Sequence, residues 1–112
     1  MSDIQAEFAA LKSICPAATL HAENDKPMVV LPDFKFRTGV KTVQMPLLLH
    51  PSQHSGYVTR LFFGEKLEGA GASQNWTSHI LLSRKWWAPS WNNVVPDQPW
   101  TSMLGAHLRA VA

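Results

Sequence analysis

The sequence predicts a single α+β domain in which a helix at each end covers a four-stranded antiparallel meander. Three observations carry this. An amphipathic stripe opens the chain, four runs with strand character follow between turn signals, and a second amphipathic stripe closes it. The chain has 112 residues, which suits one domain spanning 1–112.

Ser2 or Asp3 can cap the first helix, and Ile4, Phe8, Leu11, Ile14 and Cys15 fall at helical spacing before Pro16 ends it. Cys15 reads as a buried residue at the helix end. Thr19–Glu23 is a short strand-like run, and Asn24-Asp25-Lys26-Pro27 is a turn signal. Met28–Phe36 is the second run, with Pro32 marking an edge or a bulge. Thr38-Gly39 breaks the chain before the third run, Lys41–Leu49. Pro51–Gly56 reads as a loop and Tyr57–Phe63 as the fourth strand. Gly64–Gln74 reads as a surface loop, and Asn75–Trp91 shows no clean period, so an irregular segment is expected there. Asp97 is placed to cap a last helix with Pro99 in its first turn. Trp100, Met103, Leu104, His107, Leu108 and Val111 then line one face.

Composition narrows the function classes. Charged residues are 16%, against the usual quarter, so part of the surface is expected to lie under a partner. A net charge of +2 is too small to indicate nucleic acid by itself. A single cysteine excludes an internal disulfide and a cysteine-based zinc site. The longest apolar stretches, such as Met45–Leu49, are far too short for a membrane span. The first residues carry early acids and do not read as a signal peptide, so a cytoplasmic location is expected.

Two segments carry a resemblance to a known family. His50-Pro51-Ser52-Gln53-His54-Ser55-Gly56-Tyr57-Val58-Thr59-Arg60-Leu61-Phe62-Phe63 lines up without a gap on a motif of the form F-P-x-x-Y-P-x-x-P-P-K-V-x-F, matching at Pro51, Arg60, Leu61 and Phe63. Trp87-Ala88-Pro89 matches a W-S-P motif with one change. Both motifs belong to the ubiquitin-conjugating (UBC) fold, and the chain resembles a divergent bacterial branch of it. The resemblance implies a UBC-like α+β fold and an irregular active-site-like segment. The family's catalytic cysteine would fall at His79, and a histidine cannot form the thioester. The resemblance therefore implies a binding module without conjugating chemistry. Its partner would be a ubiquitin-like protein, an E1-like activating protein or a JAB-type deubiquitinase-like protein, with no cofactor.

The contact residues expected on this reading are Trp76, His79, Arg84, Lys85, Trp86 and Trp91, which combine positive charge with flat apolar rings. The family's W-S-P tryptophan packs inward, so the resemblance assigns Trp87 to the core. Two other readings stay open. His79 could act as a general base in a diverged enzyme, or Arg84, Lys85 and the nearby tryptophans could hold single-stranded nucleic acid. His50, His54 and His79 form at most a weak metal set, because no acid lies close to them in sequence.

Overall fold

The computed structural model describes residues 4–39, 41–53, 56–67, 75–89 and 94–111. The elements are α1 (Ile4–Ile14), β1 (Thr19–Glu23), β2 (Lys26–Thr38), β3 (Lys41–His50), β4 (Arg60–Phe63), β5 (Trp76–Leu81), β6 (Arg84–Pro89) and α2 (Trp100–Leu108), the last followed by a 3-10 turn at Arg109–Val111. The strands form one six-stranded antiparallel sheet in the order β1-β2-β3-β4-β6-β5.

This corrects the expected architecture. A UBC fold has a four-stranded sheet and several helices, whereas among the described residues six strands carry two short helices. The extra pair is a hairpin, Trp76–Leu81 with Arg84–Pro89, in the place expected to be irregular. Its two-residue turn, Leu82-Ser83, has both residues at positive φ (54° and 60°). Such a turn matches the twist of the flanking strands but normally uses Asn-Gly or Asp-Gly. Leu-Ser gives no such signal, which is why the hairpin is hard to see in the sequence. The β1–β2 turn has the same geometry at Asn24 and Asp25, and there the residue types announce it. Pro32 marks a bulge, as its position suggests: the β2–β3 register shifts between Leu31 and Phe34, with Asp33 at φ 53°.

Both faces of the sheet are buried at its centre, and this explains the unbroken apolar runs. On the first face Val29, Leu31, Met45, Leu47, Leu49, Leu61 and Phe63 pack against Leu11 of α1, Cys15 just after it, and Trp100, Met103 and Leu104 of α2. On the second face Met28, Leu48, Phe62, Leu81, Trp86 and Ala88 form a separate apolar cluster. Successive residues of a strand point to opposite faces, so each of the runs Leu47-Leu48-Leu49 and Leu61-Phe62-Phe63 serves both clusters.

The helices follow their stripes with two differences. Ile4 and Ile14 are exposed, and the α1 face narrows to Phe8, Leu11 and Cys15. The α2 stripe is buried as expected at Trp100, Met103, Leu104, His107 and Val111. Its start is not capped by Asp97. Glu7 of α1 instead accepts the Trp100 backbone N–H at 3.2 Å, placing a carboxylate where the helix dipole favours negative charge.

One polar contact ties α2 to the sheet. The Thr59 hydroxyl donates to the Val94 carbonyl at 3.2 Å, and its oxygen lies 2.9 Å from His107 Nε2. The hydroxyl has one proton, so His107 Nε2–H donates to it. Burial first, and the Arg60 charge second, push the His107 pKa down to about 4. Unfolded histidine titrates near 6.5, so the unfolded chain binds the extra proton first. The stability contributed by neutral His107 is therefore complete above pH 6.5 and is lost as pH falls toward 4. The expected loss is about 3 kcal/mol at pH 4. Denaturant titrations between pH 7.5 and 4 should show it, and His107→Gln, which keeps an N–H donor for Thr59, should flatten the curve.

Candidate functional site

The second face and the β5–β6 hairpin hold the polar chemistry of the molecule. Trp86 sits at the centre, 1% exposed, with its indole N–H donating to the Leu81 carbonyl at 3.1 Å. Trp87 is the next residue along β6 and points to the first face, where it is half-buried opposite exposed Ser78. The two tryptophans thus exchange the places expected of them. Trp86 is core, and Trp87 is the one reaching the surface. The physical reason is the strand itself, since alternation forces neighbours to opposite faces and the register puts Trp86 with Leu81 and Ala88. Arg84 and Lys85 obey the same alternation. The Arg84 guanidinium lies 4.7 Å from the Trp86 ring and the Lys85 ammonium 4.8 Å from the Trp87 ring, which orders both cations on the hairpin surface.

Arg60 opens β4 on the same face as Phe62. It is only 2% exposed. Its guanidinium lies 4.0 Å from the Tyr57 ring centre and 5.7 Å from that of Phe62. Its Nη2 reaches Thr77 Oγ1 at a long 3.4 Å, and its Nε is buried with no hydrogen-bond partner. His79 lies beside it, with Nε2 2.8 Å from Thr77 Oγ1 and the ring edge-on to Phe62 at 5.4 Å. Burial and then the Arg60 charge hold the His79 pKa below its usual value. Burial likewise lowers the Arg60 pKa, partly opposed by Tyr57.

Across Phe62 lies a cleft of about 350 Å³, lined by Glu23, Asn24 and Lys26 of the β1–β2 turn, Met28, His50, Gln53, and Ile80 and Leu81 of the hairpin. Residues near both outer strands line one cleft, so the sheet curls around its second face. His50 is buried there, and its Nδ1 donates to the Ser52 carbonyl at 2.7 Å. Burial lowers its pKa, the Ser52 carbonyl opposes the shift, and Lys26 adds to it.

The structure brings His79, Arg84, Lys85 and Trp76 onto one hairpin. Trp76 packs against Phe63 at 5.4 Å and is half-buried at the margin of the first-face core. Trp91 and His54 lie outside the described residues. His79 stands inside a regular strand and not in an irregular catalytic segment. Its contact with Thr77 is the ordinary one between same-face neighbours two apart in a strand. The exposed pair Thr19 and His21 makes the same contact at 2.7 Å. Among the described residues no group of three His, Cys, Asp or Glu is placed to hold a metal ion. Cys15 is a free buried thiol 3.9 Å from the Pro32 carbonyl, as its place on the α1 stripe predicts. Sequence reasoning matched Arg60 to a family lysine position but did not count it as a site residue. The available signal was a basic residue two positions before Phe62 in an otherwise apolar strand.

Comparison with protein-family models, curated proteins and solved structures finds no match to this chain. Among the described residues no helix is long and apolar enough to cross a membrane.

The tryptophan exchange is measurable. Trp86→Ala empties the second-face core and should cost roughly 3–5 kcal/mol in denaturant unfolding. Trp87→Ala removes a partly exposed ring and should cost less, roughly 2 kcal/mol. The opposite ranking would mean that the β6 register is wrong.

Proposed function

We propose that the chain is a non-catalytic protein-binding module that takes an extended acidic segment of its partner along β5. The observation carrying this reading is the open edge. β5 is the outermost strand and pairs only with β6 among the described residues. Sheet edges in soluble proteins are usually blunted by lysine, proline or a short strand. β5 has six residues, WTSHIL, with no proline and no Lys, Arg, Asp or Glu, and its Ile80 is 70% exposed. An extended segment added to such an edge gains main-chain hydrogen bonds, and alternate side chains reach pockets on either face.

Charge supports an acidic partner. No Asp or Glu occurs from residue 69 to residue 96, and Arg84 and Lys85 stand ordered on the neighbouring strand. Facing charges of opposite sign speed encounter and fix register. The ubiquitin-like, E1-like and JAB-type partners suggested by the sequence resemblance enter as candidates to be tried. None is needed for the argument from the edge.

A short peptide of alternating Glu and Val is the direct probe. With wild-type protein it should bind and protect alternate β5 amides from hydrogen exchange. Ile80→Asp and the double variant Arg84→Glu/Lys85→Glu should each weaken binding by about tenfold or more, equivalent to ~1.4 kcal/mol. Absence of binding, or protection confined to β1, overturns the reading. A thymidine oligonucleotide that binds more tightly than the peptide, with an affinity falling steeply as salt rises, replaces it with a nucleic-acid function.

A further inference from the structure

We infer that Arg60 is the receptor for one carboxylate, bound side-on through the Nε and Nη2 edge of its guanidinium beside Thr77 and His79. The inference does not rest on the edge-strand reading, because a small free carboxylate can fill the site without any partner chain.

The argument begins with accounting for the guanidinium. Arginine has five N–H donors and keeps its charge at any ordinary pH. Arg60 is buried, and among the described residues the only hydrogen bond its side chain makes is the 3.4 Å contact with Thr77. Nε lies away from solvent without a partner. Tyr57 and Phe62 interact with the cation through their rings, but ring contacts do not satisfy the in-plane donors. A buried charge is normally paired, and leaving one unpaired costs several kcal/mol. A core position filled by Met would avoid that cost. An arginine held there with no counter-ion among the described residues is therefore arranged for one that arrives from outside.

The geometry selects the ligand class. Nε–H and one Nη2–H lie parallel on one edge of the plane, the spacing that matches the two oxygens of a carboxylate. Thr77, bonded to Nη2, is exposed, so the Nη2 end of this edge lies nearest the surface, and the ring of Tyr57 or the Thr77 side chain must give way for a carboxylate to reach Nε. Where Tyr57 moves, the second Nη2 hydrogen leaves the Thr77 contact intact while the carboxylate binds. The hydroxyl of Thr77 accepts from Nη2, so it can donate to His79 Nε2 at 2.8 Å. That arrangement keeps His79 neutral, leaving a single positive charge at the site to match a single negative one. A phosphate dianion would bring one charge too many.

The test uses the intact chain with Arg side chains labelled with ¹⁵N, at fixed ionic strength held with chloride. Sodium acetate, sodium phosphate and the Glu-Val peptide are titrated separately. The expected result is a saturable shift of the Arg60 Nε–Hε signal with acetate, the peptide, or both, together with a rise in melting temperature. A response to acetate identifies a site open to free carboxylates, and a response to the peptide alone identifies a carboxylate delivered by a partner. Arg60→Lys should fold and weaken the response by about tenfold or more, because an ammonium lacks the planar edge. Arg60→Met should lose the response while melting in chloride at or above the wild-type temperature. Three results overturn the inference: no saturable response to either carboxylate, a response to phosphate alone, or an Arg60→Met protein that melts well below wild type, which would make Arg60 a structural residue. If acetate shifts Arg60 while the peptide leaves β5 unprotected, only the edge-strand reading falls.

Discussion

Burial of the central strands on both faces is the constraint that organises this molecule. Leu47, Leu48 and Leu49 of β3, and Leu61, Phe62 and Phe63 of β4, are each at most 1% exposed. A sheet with apolar side chains on both sides needs cover on both sides. The two helices cover one face. The other is closed by the sheet curling on itself and by Trp86, the largest fully buried side chain, delivered by the hairpin. The hairpin is therefore part of the core as well as the place where the surface chemistry collects. Its strand β6 inserts beside β4, leaving β5 outermost.

How far the sequence revealed this depends on which residues carried the signal. The α2 stripe, the β1 bounds, the Asn24-Asp25 turn and the Pro32 bulge were legible because each rests on a residue type with a local consequence. The hairpin was not legible, because Leu82-Ser83 adopts a conformation usually left to Asn and Gly, and because adjacent tryptophans mask alternation. Reading that stretch as irregular led to the four-stranded expectation and to the mistaken exposure of Trp86. The site was half visible. Arg84, Lys85 and His79 stood out by charge and by alignment. Arg60 did not, because its interest lies in what surrounds it, and burial without a counter-ion is a property of three-dimensional packing.

The buried and half-buried histidines on the two faces share one electrostatic theme. His50, His79 and His107 are all pushed toward their neutral forms, first of all by burial, and Arg60 contributes to the shift at the last two. The guanidinium keeps its charge while the imidazoles beside it give theirs up. Burial strengthens every electrostatic interaction made there, favourable or not. Among the described residues three buried side-chain atoms lack partners, Arg60 Nε, Ser52 Oγ and Trp76 Nε1. Ser52 belongs to the segment that holds His50, and Trp76 begins the edge strand. Unmet hydrogen-bonding capacity thus occurs on both faces, and at Arg60 it coincides with a buried charge, a departure from local consistency of the kind found at functional surfaces.

The contact between Glu7 and the Trp100 amide joins positions 93 residues apart. The first helix has a narrow apolar face and finds its partner helix only after all six strands have been made. Because α1 precedes α2 in the chain, Phe8 and Leu11 wait during synthesis for the part of their cover that Trp100, Met103 and Leu104 supply. Closure of the first-face core is consequently tied to the arrival of α2, and until that helix emerges one side of the sheet lacks part of its apolar cover.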